Sequence, residues 1–207
     1  MVGHVAGRFA NEPAVAGYDV MNEPNAFGEA ELQGLSDLYA DAVRAVRSAE
    51  QEAGGTAHLV FFEPSILWSD GDGAVPPPFE HDDNVVFAPH IYRGGLTDGP
   101  IERADFERAR RDATTFGGSP VLVGEWGSGP ERAEDPSDHY FTEHQDLQDE
   151  FGFSATLWTW RESCGDPHKA ADARAGRVPE VWGEFDVDCT TNTVIGPREE
   201  LIDQLTR

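Results

Sequence analysis

Two glutamates in this chain follow short apolar runs, and that placement gives them chemistry. Glu23 follows Val15–Met21 (VAGYDVM) within Asn22-Glu23-Pro24, and Glu125 follows Pro120–Val123 (PVLV) within Gly124-Glu125-Trp126. Two carboxylates converging on one pocket are the minimum set for splitting a glycosidic bond. One protonates the departing oxygen. The other attacks the anomeric carbon or activates a water. The acid needs a raised pKa, and its partner must stay ionised. Further polar and aromatic residues recur at equivalent places. Glu63 follows His58–Phe62 (HLVFF), His90 and Tyr92 follow Asn84–Ala88 (NVVFA), and Trp158 and Trp160 follow Ser154–Leu157 (SATL). Glu63 reads either as a substrate contact at the rim or as a structural glutamate before Pro64. A second Asn-Glu-Pro, at Asn11-Glu12-Pro13, precedes its apolar run, so Glu12 reads as a solvated loop residue. Trp68 and Trp126 read either as sugar platforms or, as loop aromatics more often are, as packing residues.

These residues need elements to position them. Leu32, Leu35, Tyr39, Ala42, Val43 and Val46 recur at helical spacing within Ala30–Ala53, and Gly54-Gly55 stops that helix. Phe106, Ala109, Ala113 and Phe116 mark another helix, closed by Gly117. Asp135-Pro136 reads as an N-cap and first helical position for a helix carrying Phe141, His144, Leu147 and Phe151. Gly196-Pro197 reads as the opening of a last helix with Leu201, Ile202 and Leu205. Met1–Ala10 reads as the end of a helix with Val2, Val5 and Phe9 on one face.

Strands alternating with helices imply a parallel sheet, and continuous apolar runs fit strands covered by helices. Two α/β architectures satisfy this, an open doubly wound sheet and a (β/α)8 TIM barrel. The strand ends decide. A functional side chain after every successive strand is the barrel pattern, because those ends share one face. A doubly wound sheet concentrates its ligands at one switch point, usually with a glycine-rich phosphate loop, and no such motif occurs. Eight units need about 250 residues, whereas these 207 residues show five strand runs. The expectation is a partial barrel of strands four to eight, with strands one to three lying before Met1. Residues 1–207 would then be part of one catalytic domain.

The chain has 39 acidic and 15 basic side chains, a formal charge of −24. That balance argues against nucleic acid or an anionic membrane surface as partner, because neither phosphate-neutralising stripe nor polybasic segment exists. No apolar run reaches transmembrane length, and Met1–Ala10 carries no signal-peptide pattern. Cys164 and Cys189 are either one bridge or two free thiols, and the position of Cys164 just after the last strand run favours a loop-clamping disulfide. Asp70-Gly71-Asp72-Gly73 looks like the start of a calcium loop but lacks its closing glutamate. No metal and no cofactor is expected.

Taken together, Asn22, Glu23, His90, Tyr92, Glu125 and Trp158 resemble the strand-end set of glycoside hydrolase family 5, a family of (β/α)8 retaining hydrolases. The segment GYDVMNEP is similar to that family's strand-four motif and VLVGEWG to its nucleophile strand. The resemblance implies that Glu23 is the acid/base and Asn22 its neighbour bonding the sugar 2-hydroxyl. It implies that Glu125 is the nucleophile, that Tyr92 holds it, and that His90 lines the subsite. Trp158, or Trp160 in its place, would stack under a sugar ring. YDVMNEP, FFEP and GPREEL are most similar to the endoglycoceramidase-related branch, whose members release the glycan from ceramide or split related β-glucosides. The family's arginine and histidine on strands two and three, and the branch's C-terminal β-sandwich, have no counterpart among these residues. The resemblance implies a carbohydrate or glycolipid substrate and secretion of the full-length protein. The alternative is a non-catalytic barrel fragment with at most weak carbohydrate binding.

Overall fold

The computed structural model describes residues 1–66, 68–69, 71, 73–95, 99–129, 131–135, 137–161, 182–188, 190–191 and 193–206. The chain forms two units, Met1–Ile91 with Ala104–Gly124, and Tyr92–Arg103 with Glu125–Arg207.

The first unit is built on a parallel sheet. Strands β1 (Gly17–Asp19), β2 (Leu59–Phe62) and β3 (Val85–Phe87) lie side by side in chain order. Gly17 faces Leu59, and Val60 faces Val85. A parallel bridge from Phe87 to Val121 continues the order towards β4 (Leu122–Trp126). Helix α2 (Glu29–Glu52) covers the sheet with Leu35, Tyr39, Ala42, Val43 and Val46, the stripe expected from its spacing. The Glu31 carboxylate accepts the N–H groups of Phe27 and Gly28 at 2.9 and 3.0 Å, which satisfies donors orphaned at the helix start. Gly54, at φ 65°, turns the chain out of the helix. Beneath α2, Phe62, Phe79, Phe87 and Phe116 form one aromatic cluster, with ring centroids as close as 4.7 Å. Phe116 arrives on a 3-10 turn at the end of α3 (Arg103–Ala113), and Gly117 closes it at φ 71°.

Helix α1 (Val2–Phe9) packs differently from its apolar stripe. It buries Ala6, while Val5 and Phe9 stay exposed. Small residues set this contact. A Cβ on Gly3 would stand 2.9 Å from the Ala45 carbonyl, so the two helix backbones approach along the glycine face.

The second unit carries the end of β4, then α4 (Glu131–Glu134), α5 (Tyr140–Phe151), β5 (Ser154–Leu157), an antiparallel hairpin of β6 (Phe185–Asp188) and β7 (Thr193–Pro197), and α6 (Glu199–Leu205). Trp158 donates its backbone N–H to the Trp126 carbonyl at 2.8 Å, where β5 runs beside β4. Trp126 is buried against Tyr140 and Phe141 and stacks on His144 at 4.4 Å.

Two sequence expectations are corrected here, and two elements are new. The helix expected from Asp135-Pro136 starts at Tyr140, because Asp135 instead accepts from the N–H and hydroxyl of Ser137 in a local turn. The hairpin and α4 were not expected. Gly196 and Pro197 end a strand rather than opening the last helix, which begins at Glu199. Cys164 and Cys189, and Asp70 and Asp72, lie outside the described residues. Among the described residues no helix is long and apolar enough to cross a membrane.

Two glycines test this packing with opposite signs. A Cβ on Gly17 would overlap the Leu59 carbonyl, whereas one on Gly34, within α2, meets nothing within 4 Å. Gly17→Ala should destabilise the protein by about 1–3 kcal/mol, and Gly34→Ala should stabilise it by about 0.5–1 kcal/mol. Denaturant midpoints of the two variants measure both; a Gly17→Ala midpoint at or above the parent's contradicts the β1–β2 register.

Candidate active site

Each unit holds one of the two glutamates. In the first, Glu23 stands beyond the carboxyl end of β1 with its side chain 30% exposed. Its φ is 47°, in the left-handed region that non-glycine residues seldom occupy. Its main-chain N–H is donated to Glu63 Oε2 at 2.8 Å. Glu63 follows β2 and is 2% exposed. His90, after β3, is buried between both acids. Its Nδ1 lies 3.1 Å from Glu23 Oε1 and its Nε2 lies 3.3 Å from Glu63 Oε1. The imidazole has a backbone wall behind it. A Cβ on Gly124 would come within 3.1 Å of His90 Cδ2 and 3.0 Å of the Ala88 carbonyl. Asn22 is exposed beside Glu23.

Glu63 is itself anchored from α2. The Tyr39 hydroxyl accepts the Glu63 N–H at 3.2 Å and donates to the Glu63 carbonyl at 2.9 Å. Burial raises the Tyr39 hydroxyl pKa, so it stays protonated and able to serve both bonds. Asp19, the last residue of β1, keeps solvent access on one side, yet its carboxyl is pushed up to about 6. Burial of the carboxyl is the first cause and the negative charge of Glu63 the second.

In the second unit Glu125 lies within β4, one residue before its end. The buried Tyr92 hydroxyl donates to Glu125 Oε2 at 2.8 Å. A hydrogen bond donated to a carboxylate favours its ionised form. Beyond Glu125, a second tyrosine repeats the clamp seen at Glu63. The Tyr140 hydroxyl accepts the Gly127 N–H at 3.2 Å and donates to the Gly127 carbonyl at 2.8 Å. Gly127 has φ 151°, and a Cβ there would overlap the Trp158 carbonyl. Trp158, at the end of β5, is 38% exposed, and the Trp158–Thr159 peptide is cis. Trp160 is 65% exposed and sets its ring edge-on to Phe185 at 4.8 Å.

The remaining candidates fall outside this set. Glu12 is exposed and accepts the Ala14 N–H at 3.1 Å. Trp68 is buried, donates its indole N–H to Asp112 at 2.9 Å and lies under the Arg108 guanidinium. Tyr39, Asp19, Gly124 and Tyr140 are additions from the structure. Asp19 precedes Glu23 within GYDVMNEP, so its carboxyl was visible as a signal; Tyr39 looked like an ordinary member of its helix's apolar stripe, and Tyr140 carried no signal of its own.

The family description Cellulase (glycosyl hydrolase family 5) matches residues 1–163. The chain belongs to glycosyl hydrolase family 5. Among solved structures it is similar to a crystal structure of endogalactoceramidase, at 34% identity and a TM-score of 0.83, over 100% of this chain and 46% of that one. Endo-glycoceramidase II from Rhodococcus sp., in an iminocyclitol complex, aligns at 22% identity and a TM-score of 0.69, over 99% of this chain and 44% of its own. The cellulose synthase subunit Z of Clostridioides difficile shares the fold at 13% identity and a TM-score of 0.61, with 66% of its length covered. A comparison with curated proteins gives no match. The family 5 fold of this chain is therefore part of a (β/α)8 barrel, of the endoglycoceramidase-related branch. The chain spans less than half the length of the endogalactoceramidase and the endo-glycoceramidase it resembles.

The raised Asp19 pKa gives a stability test with a defined sign. A carboxyl whose folded pKa is raised favours folding when neutral; that contribution is complete below its unfolded pKa and is lost as pH rises through about 6. Asp19→Asn is neutral at every pH. It should therefore match the parent at about pH 4 and exceed it in denaturant midpoint at pH 7. A midpoint difference that stays constant across this range contradicts the Asp19–Glu63 contact.

Proposed function

We propose that the protein is a retaining β-glycosidase that works by double displacement, with Glu125 as nucleophile and Glu23 as acid/base. The observation that carries this reading is the contrast between the two carboxyls. Glu125 accepts the Tyr92 hydroxyl proton at 2.8 Å, a partner suited to an ionised nucleophile. Glu23 instead faces an imidazole nitrogen at 3.1 Å, a partner able to exchange a proton. Family membership supports glycosidase chemistry, and the 34% identity to an endogalactoceramidase favours a glycolipid or related β-glycoside as substrate. One structure of the Rhodococcus enzyme is a ganglioside GM3 complex, which concerns that protein.

In the first step a Glu125 oxygen attacks the anomeric carbon. The bond to the glycosidic oxygen breaks, and that oxygen takes the proton of Glu23. In the second step water attacks the same carbon, gives its proton to Glu23, and displaces Glu125. Two inversions leave the configuration retained. Asn22 would bond the sugar 2-hydroxyl, His90 would line the subsite, and Trp158 or the more exposed Trp160 would stack on a sugar face. The protein would be secreted, with residues 1–207 as part of one catalytic domain. The 46% coverage of its relative favours a second reading for these residues on their own, weak carbohydrate binding without turnover.

Glu125→Gln should abolish hydrolysis of every glycoside. Glu23→Gln should cost about 10²–10⁴-fold in kcat/KM on a phenyl glycoside and much less in kcat/KM on a dinitrophenyl glycoside, whose leaving group needs no proton, while kcat on the latter falls because the second step has lost its base. Both parameters measured on both substrates check this, and a Glu125→Gln enzyme with parental rates refutes the assignment. Proton NMR of the first-formed sugar should show the substrate's own anomeric configuration; the opposite anomer would mean inversion. A panel of glycosphingolipid, cello-oligosaccharide and aryl glucoside ranks the substrate classes, and the 207-residue chain in the same panel tests the second reading.

A further inference from the structure

Glu63 touches Glu23 by two routes. One carboxylate oxygen takes the Glu23 main-chain N–H at 2.8 Å, and the other faces His90 Nε2 at 3.3 Å. The opposite edge of that imidazole faces the Glu23 carboxyl at 3.1 Å. At 2% exposure Glu63 has left bulk water, and its own main chain is gripped at both polar groups by the Tyr39 hydroxyl. A buried acid held this way has a fixed direction as well as a charge. With the Glu23 N–H on one oxygen, the other stands 3.3 Å from His90 Nε2 without a formed hydrogen bond and shares its surroundings with the Asp19 carboxyl; as an acceptor it draws Nε2 closer only when that nitrogen carries a proton.

We propose that Glu63 is a positioning residue for the acid/base Glu23, acting through His90 to keep one proton at the contact between His90 and Glu23. The inference rests on the reading of Glu23 as the acid/base. With Nε2–H turned to Glu63, Nδ1 presents its lone pair to Glu23. The 3.1 Å contact is then a hydrogen bond only when a proton lies in it, on the carboxyl oxygen or on Nδ1. The negative charge of Glu63 raises the affinity of that pair for the proton. Its second bond holds Glu23 at φ 47°, which sets the direction of the carboxyl. Within the first unit the other titratable groups here are Asp19, at the end of β1, and Tyr39, from α2.

Replacing Glu63 by glutamine reverses the arrangement at constant shape. The Glu23 N–H needs an acceptor, so the amide oxygen stays beside it and the amide NH2 turns to His90 Nε2. That nitrogen must then accept, and the imidazole proton moves to Nδ1, where it stabilises ionised Glu23. The lost charge acts in the same direction. In the full-length protein, E63Q should therefore move the alkaline limb of the kcat/KM profile on a phenyl glycoside down by about one pH unit. Its kcat/KM on a dinitrophenyl glycoside should fall less than that on the phenyl glycoside. A purely structural role would lower both rates together and leave the limb in place, and that outcome overturns the proposal. The comparison is repeated in the D19N background, so that the ionisation of Asp19 is removed from both profiles. E23Q is run alongside. If E23Q leaves the phenyl glycoside rate at the parental level, the acid/base reading itself has failed. If E23Q loses that rate while E63Q keeps the parental limb, only the positioning role has failed. Nitrogen-15 NMR of His90 in the parent protein gives an answer that does not depend on E63Q folding. Nε2 should carry a proton near neutral pH, and a neutral imidazole protonated only at Nδ1 overturns the proposal.

Discussion

A tyrosine hydroxyl bonded to both polar groups of one residue is the contact on which the first half of the site depends. Tyr39 sits on the buried stripe of α2, and its hydroxyl satisfies the N–H and C=O of Glu63 where β2 ends. A strand that leaves its ladder loses the neighbours that paired its main chain, and buried main-chain groups without partners are costly. The hydroxyl supplies both roles at once, so the chain can stop being a strand while still inside the protein. That is the condition for a buried carboxylate such as Glu63 to stand at the strand's end, and Glu63 in turn directs Glu23 and His90. Tyr140 meets the same need at Gly127 in the second unit, two residues beyond Glu125. Both glutamates thus depend on a helix of their own unit for the course of the nearby backbone.

The covering of the sheet explains why those helices can carry such hydroxyls. Parallel strands buried by helices need apolar side chains along their length, and Val60, Phe62, Val85 and Phe87 supply them. Tyr39 meets the chain where β2 has just ended. At that level a tyrosine does what a phenylalanine cannot, since its ring fills the aromatic cluster with Phe62 and Phe79 and its hydroxyl reaches the main chain.

Most of this scaffold was legible in the sequence, and the failures have identifiable causes. The reading of α2 over Ala30–Ala53 differs from Glu29–Glu52 by one residue at each end, because periodicity, glycine stop and capping acid agree. Ser154–Leu157 is found as read. The β6–β7 hairpin was not legible. FDVD and TVIGP are too short to carry a clear period and lie outside the βα rhythm, with Pro197 closing the pair. Asp135 was misread because a cap and a local Asp-x-Ser turn use the same acceptor oxygen, and only the path of the next residues separates them. Strand-end positions for Glu23, His90, Tyr92 and Glu125 could be read in advance. Their partners could not, since the Tyr39–Glu63 and His90–Glu23 contacts join residues 24 and 67 positions apart in the chain, and no local pattern encodes such pairings.

Exposure then separates residues that the sequence presents as equals. Trp68 and Trp126 are buried and engaged by protein, through Asp112 and Arg108 in one case and His144 in the other. Trp158 and Trp160 keep ring surface in solvent. A sugar platform has to present a face to water before substrate arrives, so the second pair retains that capacity and the first does not. The carboxylates divide in the same way. Glu63 is spent on its neighbours at 2% exposure, while the 30% exposure of Glu23 leaves it reachable. A buried acid acts only through the groups it touches, and Glu63 touches the Glu23 main chain and stands against the His90 imidazole. The −24 formal charge of the chain, by contrast, is mostly a property of solvated surface acids, and has little bearing on this balance. The orientation of the site carboxyls is decided by a few enclosed contacts rather than by the total.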